Sequence, residues 1–199
     1  MKVVLISGSP RANGNTAILI GECAKIIQQA GIETEVFSLV DMPIRSCVSC
    51  HKCRTLGECG IEDGLNHIIK VIRDAEGLIV GTPVYFGTAR GDVLSALQRI
   101  GYVSRNTDKF LAGKIGGCIA VARRNGQDFT VREMMMFFLA NDMVVPGSLH
   151  PNVAFGREPG EVAADEEGMD TARHFAANVA RLVEKLHGEA EARSAPAAQ

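Results

Sequence analysis

The chain has 199 residues, of which 46% are hydrophobic and 22% charged, and its formal net charge is -2. This composition is that of an ordinary globular protein and predicts one domain with a sizeable core. The weak acidic balance argues against a nucleic-acid binder, and no apolar run approaches the roughly 18 residues that a membrane span needs. The apolar run after Lys2 is too short for a signal peptide, so a reducing cytoplasm is the expected compartment.

Short apolar runs alternate with helical stretches along almost the whole chain. Strands are predicted at residues 2–9, 34–39, 77–87, 114–122 and 143–148, and helices at 15–30, 65–72, 93–100, 129–141 and 166–187. This alternation indicates an α/β fold, a flavodoxin-like doubly wound parallel sheet of five strands in the order 2-1-3-4-5. Residues 1–188 are expected to form the domain, and residues 189–199 a flexible tail.

The loop after the first strand, SGSPRANGNT, is rich in hydrogen-bond donors. Open α/β sheets bind ligands at the carboxyl ends of their strands, and the N-terminus of the following helix favours an anion such as phosphate. Ser9, Asn15 and Thr16 can donate side-chain hydrogen bonds, and Arg11 can add a guanidinium. The motifs for nucleoside triphosphates and for dinucleotides are absent. The alternative is a plain turn in which Asn15 or Thr16 caps the helix.

Two further loops follow neighbouring strands and are expected at the same edge of the sheet. The loop GTPVYFGTARG offers Tyr85 and Phe86 either to a flat ligand ring or to packing on the following helix. Pro83 stiffens this loop, and Gly87 lets the backbone approach a ligand closely. The loop ARRNGQD, residues 122–128, adds arginine and amide side chains. Together the three loops suit a mononucleotide.

Four of the six cysteines form the spacing C-x2-C-x2-C-x5-C, at Cys47, Cys50, Cys53 and Cys59. Structural zinc usually takes two separated C-x2-C pairs, whereas three thiols at successive x2 intervals are typical of bacterial ferredoxin runs. The run therefore favours a 4Fe–4S cluster, with zinc, disulfides or free thiols as alternatives. The segment 45–62 is expected as an insertion between strand two and helix two.

Basic residues surround the cysteine run, and the remaining two cysteines do not belong to it. The basic residues of this segment are Arg45, His51, Lys52 and Arg54. Their positive charge would offset an anionic cluster and could attract an acidic electron carrier. Cys118 lies in an apolar strand and Cys23 on the apolar face of the first helix, so both are expected to pack in the core.

These motifs, in this order, resemble the iron–sulfur flavoproteins, a branch of the NAD(P)H-dependent FMN reductase group with a flavodoxin-like fold. The resemblance rests on GSPRANGNT, the cysteine run, TPVYFG and GKIGGCIAVARRNGQ. It implies FMN and a 4Fe–4S cluster as cofactors, and a homotetramer in which a cluster approaches a neighbour's flavin. The implied FMN contacts are Ser9, Arg11, Asn13, Asn15 and Thr16 for the phosphate, and Pro83, Val84, Tyr85, Phe86 and Gly87 for the ring, with Arg124, Asn125 and Gly126 nearby. Where the family often has Lys and an acidic residue before Arg99, this chain has Ser95 and Gln98.

The implied function is electron transfer between a carrier, ferredoxin-like or NAD(P)H, and an acceptor. FMN exchanges one or two electrons and a cluster one, so the pair connects the two kinds of chemistry. No general acid, nucleophile or triad is evident, and no catalytic side chain is predicted. Two other functions stay open. One is a cluster-free NAD(P)H-dependent FMN or quinone reductase, and the other is a non-catalytic redox sensor.

Overall fold

The computed structural model describes residues 1–188, and five of its strands pair in parallel in one sheet. These strands are β1 (Lys2–Ser7), β2 (Glu33–Ser38), β3 (Gly77–Tyr85), β5 (Ile115–Ala122) and β6 (Val153–Phe155), in the order β2-β1-β3-β5-β6. The two-residue strand β4 (Thr88–Ala89) folds back antiparallel onto the end of β3. The predicted tail, residues 189–199, lies outside the described residues.

The predicted strand order of 2-1-3-4-5 needs two corrections. The sheet has six strands, because β4 intervenes in the sequence without joining the parallel path. Its last strand is β6, not the predicted residues 143–148, where Val144 makes only an isolated parallel bridge to Ile115. Pro146 has no backbone N–H to donate and Gly147 favours a turn, so the ladder ends there.

Six α-helices connect and cover the strands in the described part of the chain. They are α1 (Asn15–Gln29), α2 (Cys53–Leu56), α3 (Leu65–Arg73), α4 (Gly91–Asn106), α5 (Gln127–Ala140) and α6 (Glu166–Val183), with a 3-10 turn at Glu161–Ala164 and a π-helical turn at Glu184–Gly188. The short α2 lies inside the cysteine run and has no counterpart in the predicted helices. The predicted last helix ends early as an α-helix, at Val183, and continues as the π-helical turn.

Two apolar clusters fill the two faces of the sheet. One contains Val4 and Ile6 of β1 and packs under α3, α4 and α5. The other contains Val3 and Leu5 and packs under α1 and α6. This alternation follows from the two-residue period of a strand, and burial on both faces is typical of parallel sheets. None of the helices within residues 1–188 combines the length and the apolar character that crossing a membrane would take.

The neighbours Phe138 and Leu139 on α5 test this assignment of the core. Phe138 is fully buried, and 56% of Leu139 is exposed. We expect Phe138→Ala to lower the free energy of unfolding by about 3–5 kcal/mol, because it removes a large buried ring and leaves a cavity. Leu139→Ala is the matched control and should change it by no more than about 0.5 kcal/mol. Urea unfolding followed by circular dichroism measures both, and equal losses would contradict the placement of α5.

Candidate functional site

The loop between β1 and α1 is folded tightly around the side chain of Ser9. The Ser9 hydroxyl donates to the carbonyl of Arg11 at 2.6 Å and accepts from the Arg11 N–H at 3.1 Å. A Cβ atom on Gly14 would lie 2.3 Å from Ser9 Oγ, so a larger residue there would displace the serine. Gly14 is the N-cap of α1, and no side chain caps the helix. The first amides of α1 therefore point to the loop without a capping side chain, as an anion site requires.

Asn15 ties the start of α1 to the segment after β6. Its Nδ2 donates to the carbonyl of Glu158 at 2.9 Å, and its Oδ1 accepts from the N–H groups of Gly160 at 2.9 Å and Val162 at 3.3 Å. The Asn15 side chain is thus engaged within the chain, and its predicted donation to a phosphate would have to come from the backbone. The same contacts bring Gly156 and Arg157 to the loop.

The three predicted loops line two adjoining parts of one cleft at the carboxyl edge of the sheet. The first part is lined by Ser9, Pro10, Arg11, Gly14, Asn15, Thr16, Pro83, Val84, Tyr85, Val121, Ala122, Arg123, Gly156 and Arg157. The second is lined by Val84, Phe86, Gly87, Ala122, Arg123, Arg124, Asn125, Gly126 and Phe129. Of the predicted FMN contacts, only Asn13 lies outside both linings. Arg157 and Phe129 line the cleft and were not predicted.

The turn between β3 and β4 presents its aromatic side chains outward. Phe86 is fully exposed and has a left-handed φ of 54°, which is uncommon for a bulky residue. Tyr85 is half exposed and lines the cleft. Packing of Phe86 on the following helix is therefore excluded. Glu133 of α5 holds the hairpin, because its Oε2 accepts from the Thr88 hydroxyl at 2.5 Å and from the Ala89 N–H at 3.1 Å.

The cleft is positively charged at the end nearest α1. Three guanidinium groups line that part, from Arg11, Arg123 and Arg157. Arg90 supports the same loop from behind, because its Nη1 donates to the carbonyl of Gly8 at 3.1 Å. Guanidinium groups beside free helix amides suit a phosphate, and the flatter second part of the cleft suits a ring.

The four cysteines of the run line one small hollow between β2 and α3, against helix α4. Its other walls include His51, Arg99, Tyr102 and Val103. All four thiols are free, and within residues 1–188 no three His, Cys, Asp or Glu side chains are arranged to hold a metal ion. Ser49 and His51, on either side of Cys50, have left-handed φ angles of 52° and 57°. Gly57, at φ 75°, ends α2 and lets the chain turn back.

Cys23 and Cys118 are buried outside the hollow, as predicted from their apolar surroundings. Burial raises the pKa of each thiol to about 12. Because a thiolate is the form that binds metal, these two cysteines remain packing residues.

A buried ion pair, which the sequence did not reveal, lies beneath the cysteine hollow. Arg99 of α4 is 1% exposed, and its Nη2 donates to Oδ1 of Asp63 at 2.9 Å while Nη1 donates to Oδ2. Burial alone would raise the pKa of Asp63, but the guanidinium and the Arg45 N–H outweigh it, so this pKa is lowered. The one sequence feature that could have indicated a buried Arg99 is its position between Leu97 and Ile100, on an otherwise apolar helix face.

A family model described as NADPH-dependent FMN reductase matches residues 1–158. The chain belongs to the FMN reductase family. It is accordingly an FMN-dependent oxidoreductase, and the cleft between the three loops is its candidate flavin site. An iron-sulfur flavoprotein of Methanocaldococcus jannaschii is 37% identical, over 94% of this chain and 99% of the relative.

Solved structures of low sequence identity share the fold of this FMN reductase family member. RosB, crystallised with 8-demethyl-8-formylriboflavin-5'-phosphate, superposes with a TM-score of 0.71 at 19% identity, covering 100% of this chain and 89% of RosB. A WrbA-like flavodoxin from Agrobacterium tumefaciens gives a TM-score of 0.66 at 16% identity, covering 92% and 98%. The predicted flavodoxin-like α/β fold is confirmed.

Gly14, the N-cap of α1, and Gly21, in the middle of that helix, test whether the β1–α1 loop binds the flavin phosphate. Gly14→Ala should weaken FMN binding at least roughly tenfold, because the new Cβ displaces the Ser9 hydroxyl and opens the loop. Gly21→Ala is the matched control: its new Cβ would meet no atom within 4 Å, and helix propensity predicts a gain of about 0.5–1 kcal/mol in stability. Quenching of flavin fluorescence gives both dissociation constants. Unchanged affinity in Gly14→Ala would refute the role of this loop.

Proposed function

We propose that this oxidoreductase passes electrons between a ferredoxin-like carrier or NAD(P)H and an acceptor, through FMN and a 4Fe–4S cluster. The observation that carries the proposal is the hollow lined by Cys47, Cys50, Cys53 and Cys59, four free thiols in a ferredoxin-like spacing. The name of the archaeal relative, an iron-sulfur flavoprotein covered over 99% of its length, supports the same proposal.

FMN fits the cleft by charge and by shape. Its phosphate would lie at the first amides of α1, between the guanidinium groups of Arg11, Arg123 and Arg157. Its ring would lie along the β3–β4 turn, beside Tyr85 and Gly87. When bound, FMN supplies both one-electron and two-electron chemistry. The side chains of this cleft hold and orient the ring, and none of them is proposed to transfer a proton.

The cysteine hollow fits a cluster better than a single zinc ion. Zinc needs its sulfur ligands about 2.3 Å from one point, whereas each thiolate of a cubane binds a different iron and lies farther from the others. The four thiols line one hollow, and their C-x2-C-x2-C-x5-C spacing is that of a ferredoxin-like run and not of two separated zinc pairs. When bound, such a cluster supplies one-electron chemistry.

The surface around the cysteine hollow supports a negatively charged electron carrier as partner. Exposed side chains of His51, Lys52 and Arg54 lie beside the exposed Cys50. Charge complementarity of this kind accelerates encounter with an acidic protein. We also propose a homotetramer, supported by the exposed apolar side chains Phe129 and Met136 on α5. The cytoplasm remains the proposed compartment, since all six cysteines are free thiols.

A cluster-free FMN or quinone reductase is the second candidate. It is favoured by one observation, namely that the family model matching residues 1–158 is described as NADPH-dependent FMN reductase and names no cluster. Membership of an FMN reductase family argues against the third alternative, a non-catalytic sensor.

Iron analysis of anaerobically purified protein separates the two candidates. We expect about four iron and four acid-labile sulfide per FMN in the unaltered protein. Cys53→Ala should lose most of the iron and sulfide but keep FMN, because the altered side chain belongs to the hollow and not to the flavin cleft. Cys23→Ala is the matched control and should keep all three. FMN without iron in the unaltered protein would favour the cluster-free reductase and refute the proposed one.

A further inference from the structure

Arg99 uses every donor of its guanidinium group on the cysteine segment. Its hydrogen bonds reach Cys59 Sγ through Nε at 3.2 Å, the carbonyl of Arg45 through Nη1 at 3.1 Å, the carbonyl of Ile61 through Nη2 at 3.1 Å, and both oxygens of Asp63. A guanidinium has five N–H donors, so none is left over. The side chain is 0% exposed, so water does not compete for these hydrogen bonds.

The bond to the sulfur is separable from the bonds that hold the segment in place. The backbone of Cys59 is fixed by Asn66, whose Oδ1 accepts from the Cys59 N–H at 3.0 Å and whose Nδ2 donates to the Cys59 carbonyl at 2.8 Å. Asp63 anchors the base of the segment through the N–H of Arg45 at 3.0 Å. The Nε donor therefore acts on the thiol itself, and backbone order at Cys59 does not require it.

We infer that Arg99 is a positioning residue that orients the Cys59 thiolate through Nε and raises the reduction potential of the cluster that it holds. This inference rests on the proposed function. A cluster gains negative charge when it is reduced, and reduction is favoured by positive charge and by N–H donors at its sulfur ligands. Arg99 supplies the N–H donor at one thiol from a buried position, and because Asp63 offsets its charge, the N–H···S bond carries the effect. Asp63 holds the fork of the guanidinium so that Nε faces the sulfur.

The test is the cluster potential of the anaerobic holoprotein, measured by a redox titration followed by electron paramagnetic resonance. Arg99→Gln should lower the potential, with an electron-accepting equilibrium constant reduced by roughly tenfold, or about 59 mV for a one-electron couple. Arg105→Gln is the matched control: this exposed residue lies on the same helix and donates to the carbonyl of Ala140. It removes the same charge and should leave the potential unchanged.

A second variant is needed because Arg99→Gln alone would leave the Asp63 carboxylate buried without its ion-pair partner. The double variant Arg99→Gln/Asp63→Asn removes both charges, so a lower potential there isolates the lost N–H···S bond. A potential equal to that of the unaltered protein in both variants would overturn the inference alone. An equal shift of the potential in Arg105→Gln would also overturn the inference. Loss of iron and sulfide from both Arg99 variants would do the same, because Arg99 would then act on the fold of the segment. An unaltered protein without iron would overturn the proposed function and this inference together.

Discussion

Both candidate sites depend on the parallel hydrogen bonding of β1 to its two neighbours. Ser7 is in register with Ser38 of β2 and with Gly81 of β3, so the three strands end at one edge. β1 leads into the loop of residues 8–14, β2 into the cysteine segment, and β3 into the aromatic turn. Because parallel strands share one direction, segments far apart in the sequence meet there without any special long-range signal. The largely buried central strands β1, β3 and β5 then hold both sites in a fixed relation.

Helix α4 is the second support, because one of its faces carries the cysteine segment. Ser95 shares a hydrogen bond of 2.9 Å with Ser46, Arg99 pairs with Asp63, and Asn106 accepts from Arg54 Nε at 2.9 Å. Buried ion pairs often add little net stability compared with apolar residues of similar size. The effect of this ion pair is to fix one arrangement of the segment, because an unpaired charge in any other arrangement would be costly.

The sequence predicted the features that have a local signal. The parallel strands and most helices follow from apolar periodicity, and the three ligand loops follow from glycine, proline and polar residues at strand ends. The strand predicted at residues 143–148 was wrong, because the apolar residues before Pro146 carry the same pattern as a strand but cannot continue a ladder. The true edge strand, Val153–Phe155, is too short to show a period, and Arg157 was missed with it.

Contacts between residues far apart in the chain could not be predicted from the sequence. Nothing in the local sequence around Asp63 or Arg99 indicates that they pair. Asn15 binds Glu158 and Val162, which lie 143 and 147 residues farther along the chain. Asn15 has the expected residue type at a helix start, yet its amide is used for this tertiary contact instead of a cap. Residue type thus predicted the position of the cleft. Which contact each of its residues makes is determined only in the folded chain.

The most direct test of the account is the number of electrons that each protomer accepts in an anaerobic titration with a strong reductant. A protein that holds one FMN and one cluster takes up about three electrons, two on the flavin and one on the cluster, with separate changes in the visible spectrum. Uptake of about two electrons, all of them on the flavin, would contradict the claim that the cysteine hollow is a second redox centre.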